Sequence, residues 1–478
     1  MRSLLAIAMI AVSLVLLELA RMGVAVTSVE AGRTPVTLYA QPDATGPAVI
    51  LAHGFAGSEQ MMQGYALPLA RAGYRVHAFE FLGHGRHPDP MSGDVTSVDG
   101  TTRLLVDQTL SVIDAIGPQD APLALVGHSM ATDILARVAN RRPDVGPVVL
   151  ISPFSQAVDA TTPADLLLIS GAWEPRLRAF ALGAARMVDP RAVENQTVGA
   201  DGILRRAAVA PFSEHVSVLH SRVARAETLA WLDRAYGRGS DVAILPTGWA
   251  ILALLGGLVL LFRPVARVLP VVQQPDRRLS RGRLACVILL PAAVAPLVAV
   301  PLNPSFLPVL VADYLGLHLL VFGGLQLAML VFWKVPMGRP SGRGLAVLLL
   351  GCAVFGLALD RYAANFWPTP DRLVVIAILT VGAVPFMVAD AMLTAKASVL
   401  RRLALRAGFL ASLGVAVALD FEGLFFLMLI APVMILFYLV FGTMGRDTAR
   451  RVGPLSSGLV LGFVLAWALG ASFPLFLA

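Results

Sequence analysis

Charged side chains are scarce in this sequence: Asp, Glu, Lys and Arg make up 14% of its 478 residues, against about a quarter in soluble domains. Cysteine is scarcer still, and the two cysteines, Cys286 and Cys352, both lie within apolar stretches. These shortages exclude a wholly soluble globular protein, a disordered chain, a disulfide scaffold and a cysteine zinc site. Apolar residues, in contrast, make up 57% of the chain. After position 243 they form stretches of roughly twenty residues, which is typical of membrane helices.

Eight apolar stretches predict eight transmembrane helices, which together form an all-α bundle over residues 243–478. Their approximate ranges are 244–262, 284–303, 306–333, 344–360, 373–393, 403–419, 423–443 and 454–477. Near the start of the chain, the run Leu4–Leu17 predicts a further membrane helix, an uncleaved signal anchor within residues 1–29 that extends to about Val26. The alternative is the core of a cleaved signal peptide. Either interpretation leaves the next domain on the same side of the membrane.

The distribution of charge along the bundle predicts its orientation. The loops that begin at Arg263, Lys334, Ala395 and Thr443 are strongly basic, whereas the alternate loops hold more acidic than basic residues. Basic loops stay in the cytoplasm, so the residues before the bundle are expected on the periplasmic or extracellular side. The net charge of +7 therefore reflects topology, and no nucleic-acid partner is expected. Arg outnumbers Lys 36 to 2, which is typical of a GC-rich bacterial genome and favours a bacterial inner membrane.

Residues 30–242 differ from the rest, because short apolar runs alternate there with amphipathic stretches such as Val98–Ile116 and Thr132–Asn140. Near-continuous apolar strands separated by helices are typical of a parallel sheet covered on both faces. About 210 residues are enough for one complete α/β domain. The strand candidates are Ala48–Ala52, Arg75–Phe81, Leu123–Gly127, Pro147–Ile151 and Leu166–Ile169.

The strongest local signal is Gly127-His128-Ser129-Met130-Ala131, which follows an apolar strand and precedes a helical pattern. When a strand turns sharply into a helix between two small residues, the serine hydroxyl at the turn is exposed at the edge of the sheet. The motif resembles the nucleophile elbow of the α/β-hydrolase family, with Ala131 where glycine is more common. The resemblance implies the family's fold and makes Ser129 the expected nucleophile. The alternative is a serine with a structural role in the turn.

Upstream, a strand candidate runs into His53-Gly54-Phe55, which resembles the family's oxyanion loop. Acyl transfer places negative charge on the former carbonyl oxygen, and two backbone N–H groups stabilise that charge in such enzymes. By resemblance the donors are the amides of Phe55 and Met130, and the alternative is a glycine turn after an edge strand. The residues expected to border the substrate are His53, Gly54, His128 and Trp173.

A nucleophilic serine needs a histidine base and an acid that orients the base, and this family supplies them in the order serine, acid, histidine. Glu174 follows the apolar run Leu166–Ile169 and lies where the family's acid sits. His215 follows a later segment that resembles the family's last strand, and it is the expected base. The alternatives are Asp189 and Asp201 for the acid and His220 for the base.

Other titratable residues give weaker signals. His84 and His87 are spaced like a metal pair, but no third ligand lies in a suitable pattern, so neither a metal nor a cofactor is expected. Charges are costly in lipid, so Asp313 and His318 of the bundle are either functional or hydrogen-bonded between helices, and the second interpretation is favoured. Asp390 lies near a cytoplasmic helix end. Its expected partners are Lys396 or Arg401.

Many members of the family carry a helical cap over the site, but here only Phe154–Pro163 separates the strand after the elbow helix from the strand that precedes Glu174. We therefore expect the membrane bundle or the bilayer surface to cover Ser129. Together these features favour a membrane-embedded serine hydrolase that cleaves a lipid-like or otherwise apolar ester, with membrane lipids as its partners. The alternatives are amide cleavage, an acyltransferase, and a transporter or assembly protein whose hydrolase-like domain binds or senses a ligand.

Overall fold

The computed structural model describes residues 2–94, 98–273 and 279–477. Within these ranges a single sheet of nine strands forms the soluble part of the protein. The strands are β1 (Ala25–Val29), β2 (Val36–Ala40), β3 (Ala48–Ala52), β4 (Arg75–Phe79), β5 (Leu123–His128), β6 (Val145–Ile151), β7 (Asp165–Gly171), β8 (Thr197–Ala200) and β9 (Ile203–Ala210). They lie in the order β1-β2-β4-β3-β5-β6-β7-β9-β8. The six strands from β4 to β9 in this order are parallel, and β1, β2 and β8 pair antiparallel at the two sides.

Helices cover both faces of this sheet, which explains why its central strands are apolar along their whole length. The helices in this part of the chain are α1 (Arg2–Arg21), α2 (Gln63–Arg71), α3 (Arg103–Ile116), α4 (Met130–Arg141), α5 (Pro175–Arg186) and α6 (Arg222–Ala235). Helices α2 and α6 pack in the apolar core on one face, whereas α3, α4 and α5 pack in the core on the other. Every residue of β3 and β5 is buried between these two cores.

The predicted fold class is confirmed, and each of the five strand candidates is present. The sequence prediction missed β1, β2 and β8. These strands are short, and β1 and β8 are largely exposed, so they lack the continuous apolar run by which the central strands were recognised.

Nine helices within the described residues are long and apolar enough to cross a membrane, and α1 is one of them. They indicate a multi-span membrane protein, and a helix is present for each of the eight predicted spans of the bundle. The eight spans are α7 (Thr247–Val265), α8 (Arg281–Leu302), α9 (Ala312–Phe332), α10 (Gly342–Tyr362), α11 (Pro370–Thr394), α12 (Val399–Leu419), the short α13 (Phe421–Leu424) together with α14 (Ile430–Val452), and α15 (Pro454–Ser472).

Several helix boundaries differ from the sequence prediction: α9 begins at Ala312 rather than near 306, and α15 ends at Ser472 rather than near 477. Helix α1 ends at Arg21 rather than near Val26, because Gly23 adopts a positive φ of 77° and the chain then enters β1. The span predicted over 423–443 begins at Phe421 with α13, passes through a short 3₁₀ segment, and continues as α14 through its arginine-rich end to Val452. Hydropathy marks the apolar part of a helix, and arginine is a good helix former, so the helix outlasts its apolar segment. Residues 274–278, in the first basic loop, lie outside the described residues.

Helices α11 and α15 are packed closely along a stripe of small residues. A Cβ atom added to Gly458 would lie 2.5 Å from the Val388 Cα atom, and one added to Gly462 would lie 2.5 Å from the Val384 Cα atom. Glycines four residues apart on one helix face let two membrane helices approach to backbone contact. This glycine pair therefore fixes the spacing of α11 and α15.

The bundle also contacts the soluble part of the protein, at the loop that follows β4. Arg86 in this loop forms a bidentate ion pair with Asp360 of α10, with a shortest N–O distance of 2.7 Å. The buried guanidinium of Arg372 on α11 donates to the Gly83 carbonyl at 2.7 Å. The Leu475 N–H donates to the same carbonyl at 2.8 Å. The carboxyl end of β4 therefore faces the bundle.

Replacing Gly462 by leucine is expected to lower the melting temperature of the detergent-solubilised protein, because the new side chain would overlap the α11 backbone. Overpacking of this kind costs about 1–3 kcal/mol. Gly414→Leu on α12 is the matched control, since a Cβ atom there meets nothing within 4 Å. Equal melting temperatures for the two variants, measured by intrinsic fluorescence, would contradict the close packing of α11 and α15.

Candidate active site

Ser129 lies at the tight turn between β5 and α4. Its backbone has a φ of 55° and a ψ of −116°, a conformation that residues other than glycine rarely adopt. A Cβ atom on Gly127 would lie 2.6 Å from the Leu135 side chain and 3.0 Å from the Ala131 Cβ atom. The turn therefore needs glycine before the serine and a small residue after it, which is the geometry of a nucleophile elbow.

Three predicted residues are brought together at this edge of the sheet. The His215 Nε2 atom lies 2.8 Å from the Ser129 Oγ atom. On its other side, the His215 Nδ1 atom lies 2.7 Å from the Glu174 Oε1 atom. Both distances are within hydrogen-bond range, so a continuous chain of hydrogen bonds joins the serine hydroxyl to the carboxylate. Ser129 follows β5, Glu174 follows β7 and His215 follows β9, at the carboxyl ends of parallel strands.

The Glu174 carboxylate is buried but well supplied with donors. Its Oε2 atom accepts hydrogen bonds from the Gly171 N–H at 2.6 Å and from the Ser152 hydroxyl at 2.8 Å. Burial acts to raise the pKa of Glu174, but the hydrogen bonds from His215, the Gly171 amide and Ser152 outweigh it and hold the pKa below its ordinary value. The carboxylate is therefore ionised at neutral pH and can hold the histidine ring in one orientation.

The alternative acids and the alternative base lie elsewhere. Asp189 accepts a hydrogen bond from the Arg191 N–H, and Asp201 lies in the exposed turn between β8 and β9. His220 borders a different cavity, beside Arg225 and Thr247. Among the candidates for acid and base, Glu174 is the acid and His215 is the base that are joined to Ser129 by consecutive hydrogen bonds.

The loop after β3 lies directly against the elbow. A Cβ atom on Gly54 would lie 3.0 Å from the Ser129 Cβ atom and 2.9 Å from the His128 Nδ1 atom. Only glycine lets the two backbones approach this closely. The Phe55 amide follows Gly54 and the Met130 amide begins α4, so the two expected oxyanion donors belong to the two segments that meet at Ser129.

His53 and His128 were expected to border the substrate, but both are buried behind the site. The His53 Nδ1 atom lies 2.8 Å from the Gly54 carbonyl, and its Nε2 atom accepts a hydrogen bond from the Phe81 N–H at 3.1 Å. The His128 Nε2 atom lies 2.8 Å from the His215 carbonyl. Burial and the neighbouring His215 lower the pKa of His128 to about 4, so its ring is neutral. The two rings therefore support the oxyanion loop and the His215 loop from behind.

Two residues of the site were missed by the sequence analysis. Ser152 directly follows β6, is fully buried, and donates to Glu174 as described above. Glu80 directly follows β4, and its carboxylate accepts a hydrogen bond from the Glu59 N–H at 3.3 Å and lies 3.2 Å from His53. Each is a polar residue at the carboxyl end of a buried parallel strand. This position could have identified both residues from the sequence, because the carboxyl ends of parallel strands lie at one edge of the sheet.

The two histidines with metal-like spacing contact backbone. The His84 Nδ1 atom lies 2.8 Å from the Leu82 carbonyl, and the His87 Nδ1 atom accepts a hydrogen bond from the Asp89 N–H at 2.9 Å. In the part of the chain that the structure describes, no group of three His, Cys, Asp or Glu side chains is arranged to hold a metal ion. The absence of a metal and of a cofactor stays a prediction.

Two polar residues of the bundle, His318 and Asp390, link helices to each other. His318 on α9 lies 3.0 Å from the Tyr314 hydroxyl and 2.9 Å from the Ser412 hydroxyl of α12. Asp390 forms its ion pair with Arg406 of α12, at 3.0 Å, and the expected pairing with Lys396 or Arg401 was wrong. The expectation of a bond between helices is not met for Asp313, whose side chain accepts a hydrogen bond from the Leu307 N–H at 2.9 Å, in the loop just before its own helix α9.

Comparison with known proteins agrees with this geometry. Residues 43–201 match the family described as serine aminopeptidase, S33. With the sheet order and the elbow, this match identifies the soluble part of the chain as an α/β-hydrolase domain. The chain thus contains a hydrolase domain of the α/β-hydrolase superfamily, which is followed by a bundle of apolar helices.

Several solved structures are similar to parts of the chain. A CIB-like hydrolase from Thermoplasma acidophilum is 17% identical, with 44% of this chain and 96% of that chain covered and a TM-score of 0.34. A membrane phospholipase A, described as a bacterial virulence factor, is 16% identical, with 49% and 93% covered and a TM-score of 0.35. An epoxide hydrolase from an endophytic Streptomyces is 32% identical over 28% of this chain and 39% of its own length, with a TM-score of 0.24.

Removing the Ser152 hydroxyl is expected to slow the reaction of Ser129 with a fluorophosphonate about 10-fold, because a hydrogen bond to a buried carboxylate is lost. The measurement is the second-order labelling rate of Ser152→Ala, with the melting temperature recorded in parallel. Ser155→Ala is the control, since Ser155 donates to Asp133 and not to Glu174. Equal labelling rates for both variants and the wild type would show that Ser152 does not position Glu174.

Proposed function

We propose that the protein is a membrane-bound serine hydrolase that cleaves a carboxylic ester through an acyl-enzyme. The observation that carries this proposal is the hydrogen-bonded chain from Ser129 through His215 to Glu174, at the carboxyl edge of an α/β-hydrolase sheet. A nucleophile, a base within hydrogen-bond distance and a buried acid that orients the base are the groups that acyl transfer requires.

The geometry supports a definite role for each group. As the Ser129 oxygen attacks the ester carbon, the His215 Nε2 atom takes the hydroxyl proton, and the amides of Phe55 and Met130 receive the developing oxyanion. The carbon–oxygen bond to the alcohol then breaks, and His215 returns the proton to the leaving alkoxide. A water molecule then gives a proton to His215 as its oxygen attacks the acyl carbon. The bond between that carbon and the Ser129 oxygen breaks, His215 returns the proton to Ser129, and the carboxylic acid leaves. Throughout, Glu174 stabilises the positively charged form of the histidine ring.

A lipid-like or otherwise apolar ester is the substrate class that this architecture favours. The segment between β6 and β7 contains no helix, so nothing in it resembles the helical cap with which many relatives enclose a site. The Phe55 ring instead lies 5.8 Å from the ring of Phe426, which precedes α14 in the bundle. A membrane helix bundle thus borders the oxyanion loop, where it would bring apolar substrate close to Ser129.

The basic loops of the bundle support an orientation in which the hydrolase domain faces the periplasm or the cell exterior, with the bundle in a bacterial inner membrane. Amide cleavage and acyl transfer would use the same residues as ester cleavage. A transport role for the bundle gains no support from His318 and Asp390, because both make contacts between helices.

Ser129→Ala is expected to abolish labelling of the detergent-solubilised protein by a fluorophosphonate, because the probe reacts only with an activated serine hydroxyl. Ser111→Ala, at an exposed position on α3, is expected to label like the wild type. In-gel fluorescence reads out both variants. A well-folded wild type that is not labelled, or a Ser129→Ala variant that still is, would sink the proposed chemistry.

Phe426→Ala is expected to lower the ratio of long-chain to short-chain ester turnover about fivefold, because the apolar cover beside Phe55 is removed. That change corresponds to roughly 1 kcal/mol, about the contribution of one buried methylene or slightly more. Phe421→Ala is the control, because the Phe421 ring contacts Phe425 rather than the oxyanion loop. If both variants keep the wild-type ratio in p-nitrophenyl ester assays, the bundle does not cover the site.

A further inference from the structure

We propose that the open half of the sheet edge rests in the outer surface of the bilayer, so that an acyl chain reaches Ser129 directly from the lipid. The inference rests on the proposed function for its substrate, but the surface itself is argued from exposure and position. We call this surface the apolar rim. Its members are Phe154, Trp173, Phe212 and Val216.

The apolar rim consists of large apolar side chains that the protein leaves exposed next to its catalytic groups. The exposed fractions are 60% for Phe154, 64% for Trp173, 83% for Phe212 and 50% for Val216. Trp173 directly precedes Glu174, and Val216 directly follows His215. Apolar side chains that cluster at one place on a protein surface mark an interaction site, whereas single ones scattered elsewhere need no explanation.

The backbone holds the rim in position. Phe212 has a φ of 52°, which is unfavourable for an aromatic residue and persists only where the surroundings impose it. The Trp173 N–H donates to the Ser213 carbonyl at 3.0 Å, which ties the loops after β7 and β9 together. The Phe154 N–H donates to the Thr132 hydroxyl at 3.1 Å, which ties the loop after β6 to α4. The exposed rings are therefore displayed by an ordered edge.

The position of the rim along the sheet indicates what covers it. In the order β4-β3-β5-β6-β7-β9, the loops after β4 and β3 contact the bundle through Arg86 and Phe55, and the loop after β5 holds Ser129. The rim follows the next three strands along the same edge. Membrane helices thus contact the half of the edge formed by the β4 and β3 loops. The apolar rim lies on the other half, which is the direct continuation of the edge past Ser129.

A lipid bilayer is the surface that we expect to cover the apolar rim, because the membrane helices that contact the neighbouring half of the edge are themselves surrounded by lipid. Tryptophan and phenylalanine are favoured at the boundary between acyl chains and headgroups. Ser129 lies where the protein-covered half meets the lipid-covered half. An ester in the outer leaflet would then reach the serine without crossing water.

The test measures the lipid exposure of one rim position in the full-length protein. Phe212→Cys and Asp120→Cys are made in a Cys286→Ala, Cys352→Ala background, labelled with a nitroxide, and reconstituted in lipid nanodiscs. Asp120 is the control, because it is exposed at the opposite edge of the sheet, just before β5. Relaxation by oxygen, which partitions into lipid, is compared with relaxation by a water-soluble nickel chelate.

The label at position 212 is expected to be relaxed more by oxygen and the label at position 120 more by nickel, with oxygen-to-nickel ratios that differ at least 10-fold. Equal ratios at both positions would overturn the bilayer contact. Shielding of position 212 from both reagents would also overturn it and would assign the rim to a second copy of the chain. If a fluorophosphonate does not label Ser129, the proposed function is contradicted but the bilayer contact is not, because the nitroxide measurement does not depend on catalysis.

A second measurement links the rim to substrate entry. Phe154→Asp with Phe212→Asp is expected to lower the hydrolysis of a long-chain ester in phosphatidylcholine vesicles about 10-fold relative to that of a soluble short-chain ester. Val223→Asp, which charges an exposed residue of α6 outside the rim, is the control. A loss that is equal for both substrates would argue against entry from the lipid.

Discussion

The hydrogen bond between Glu174 and His215 is the contact on which the candidate site depends. A buried carboxylate is costly unless donors surround it. Here the carboxylate lies in the turn after β7, and its donors are the last residue of β7, the residue that follows β6 and the histidine in the loop after β9. The charge therefore draws three loops together. Once those loops are fixed, the histidine ring points at Ser129, whose own position is imposed by the elbow.

The same edge of the sheet has a second set of constraints, which come from the membrane helices. Asp360 and Arg372 hold the loop after β4, while Phe426 borders the oxyanion loop after β3. A single anchor helix would keep a hydrolase at the membrane, but it would supply none of these contacts. The contacts give the bundle a structural reason to contain more than one span.

Much of the fold could be predicted because its signals are local. A buried parallel strand is an unbroken apolar run in the sequence. The elbow joins a strand, the serine and a helix within a few residues, so β5, Ser129 and α4 could be predicted together. Ser152 could not be found in this way, because its importance arises only when β6 and β7 are neighbours. The partner of Asp390 was missed for a related reason. The prediction chose basic residues that are near Asp390 in the sequence, whereas the packing of α11 against α12 brings Arg406 next to the Asp390 carboxylate.

The geometry of the site restricts where an apolar molecule can approach Ser129. The helical cover lies on one side of Ser129, and buried His53 and His128 lie behind it.

The backbone contact between the β4 loop and the last helical region has a consequence for biosynthesis. Gly83 and Met91 exchange hydrogen bonds with Leu475 and Leu477, nearly four hundred residues farther along the chain. A ribosome delivers the sheet long before it delivers α15. The loop beside the oxyanion segment must therefore wait for its partners until the whole bundle has entered the membrane, so its ordering marks the completion of assembly.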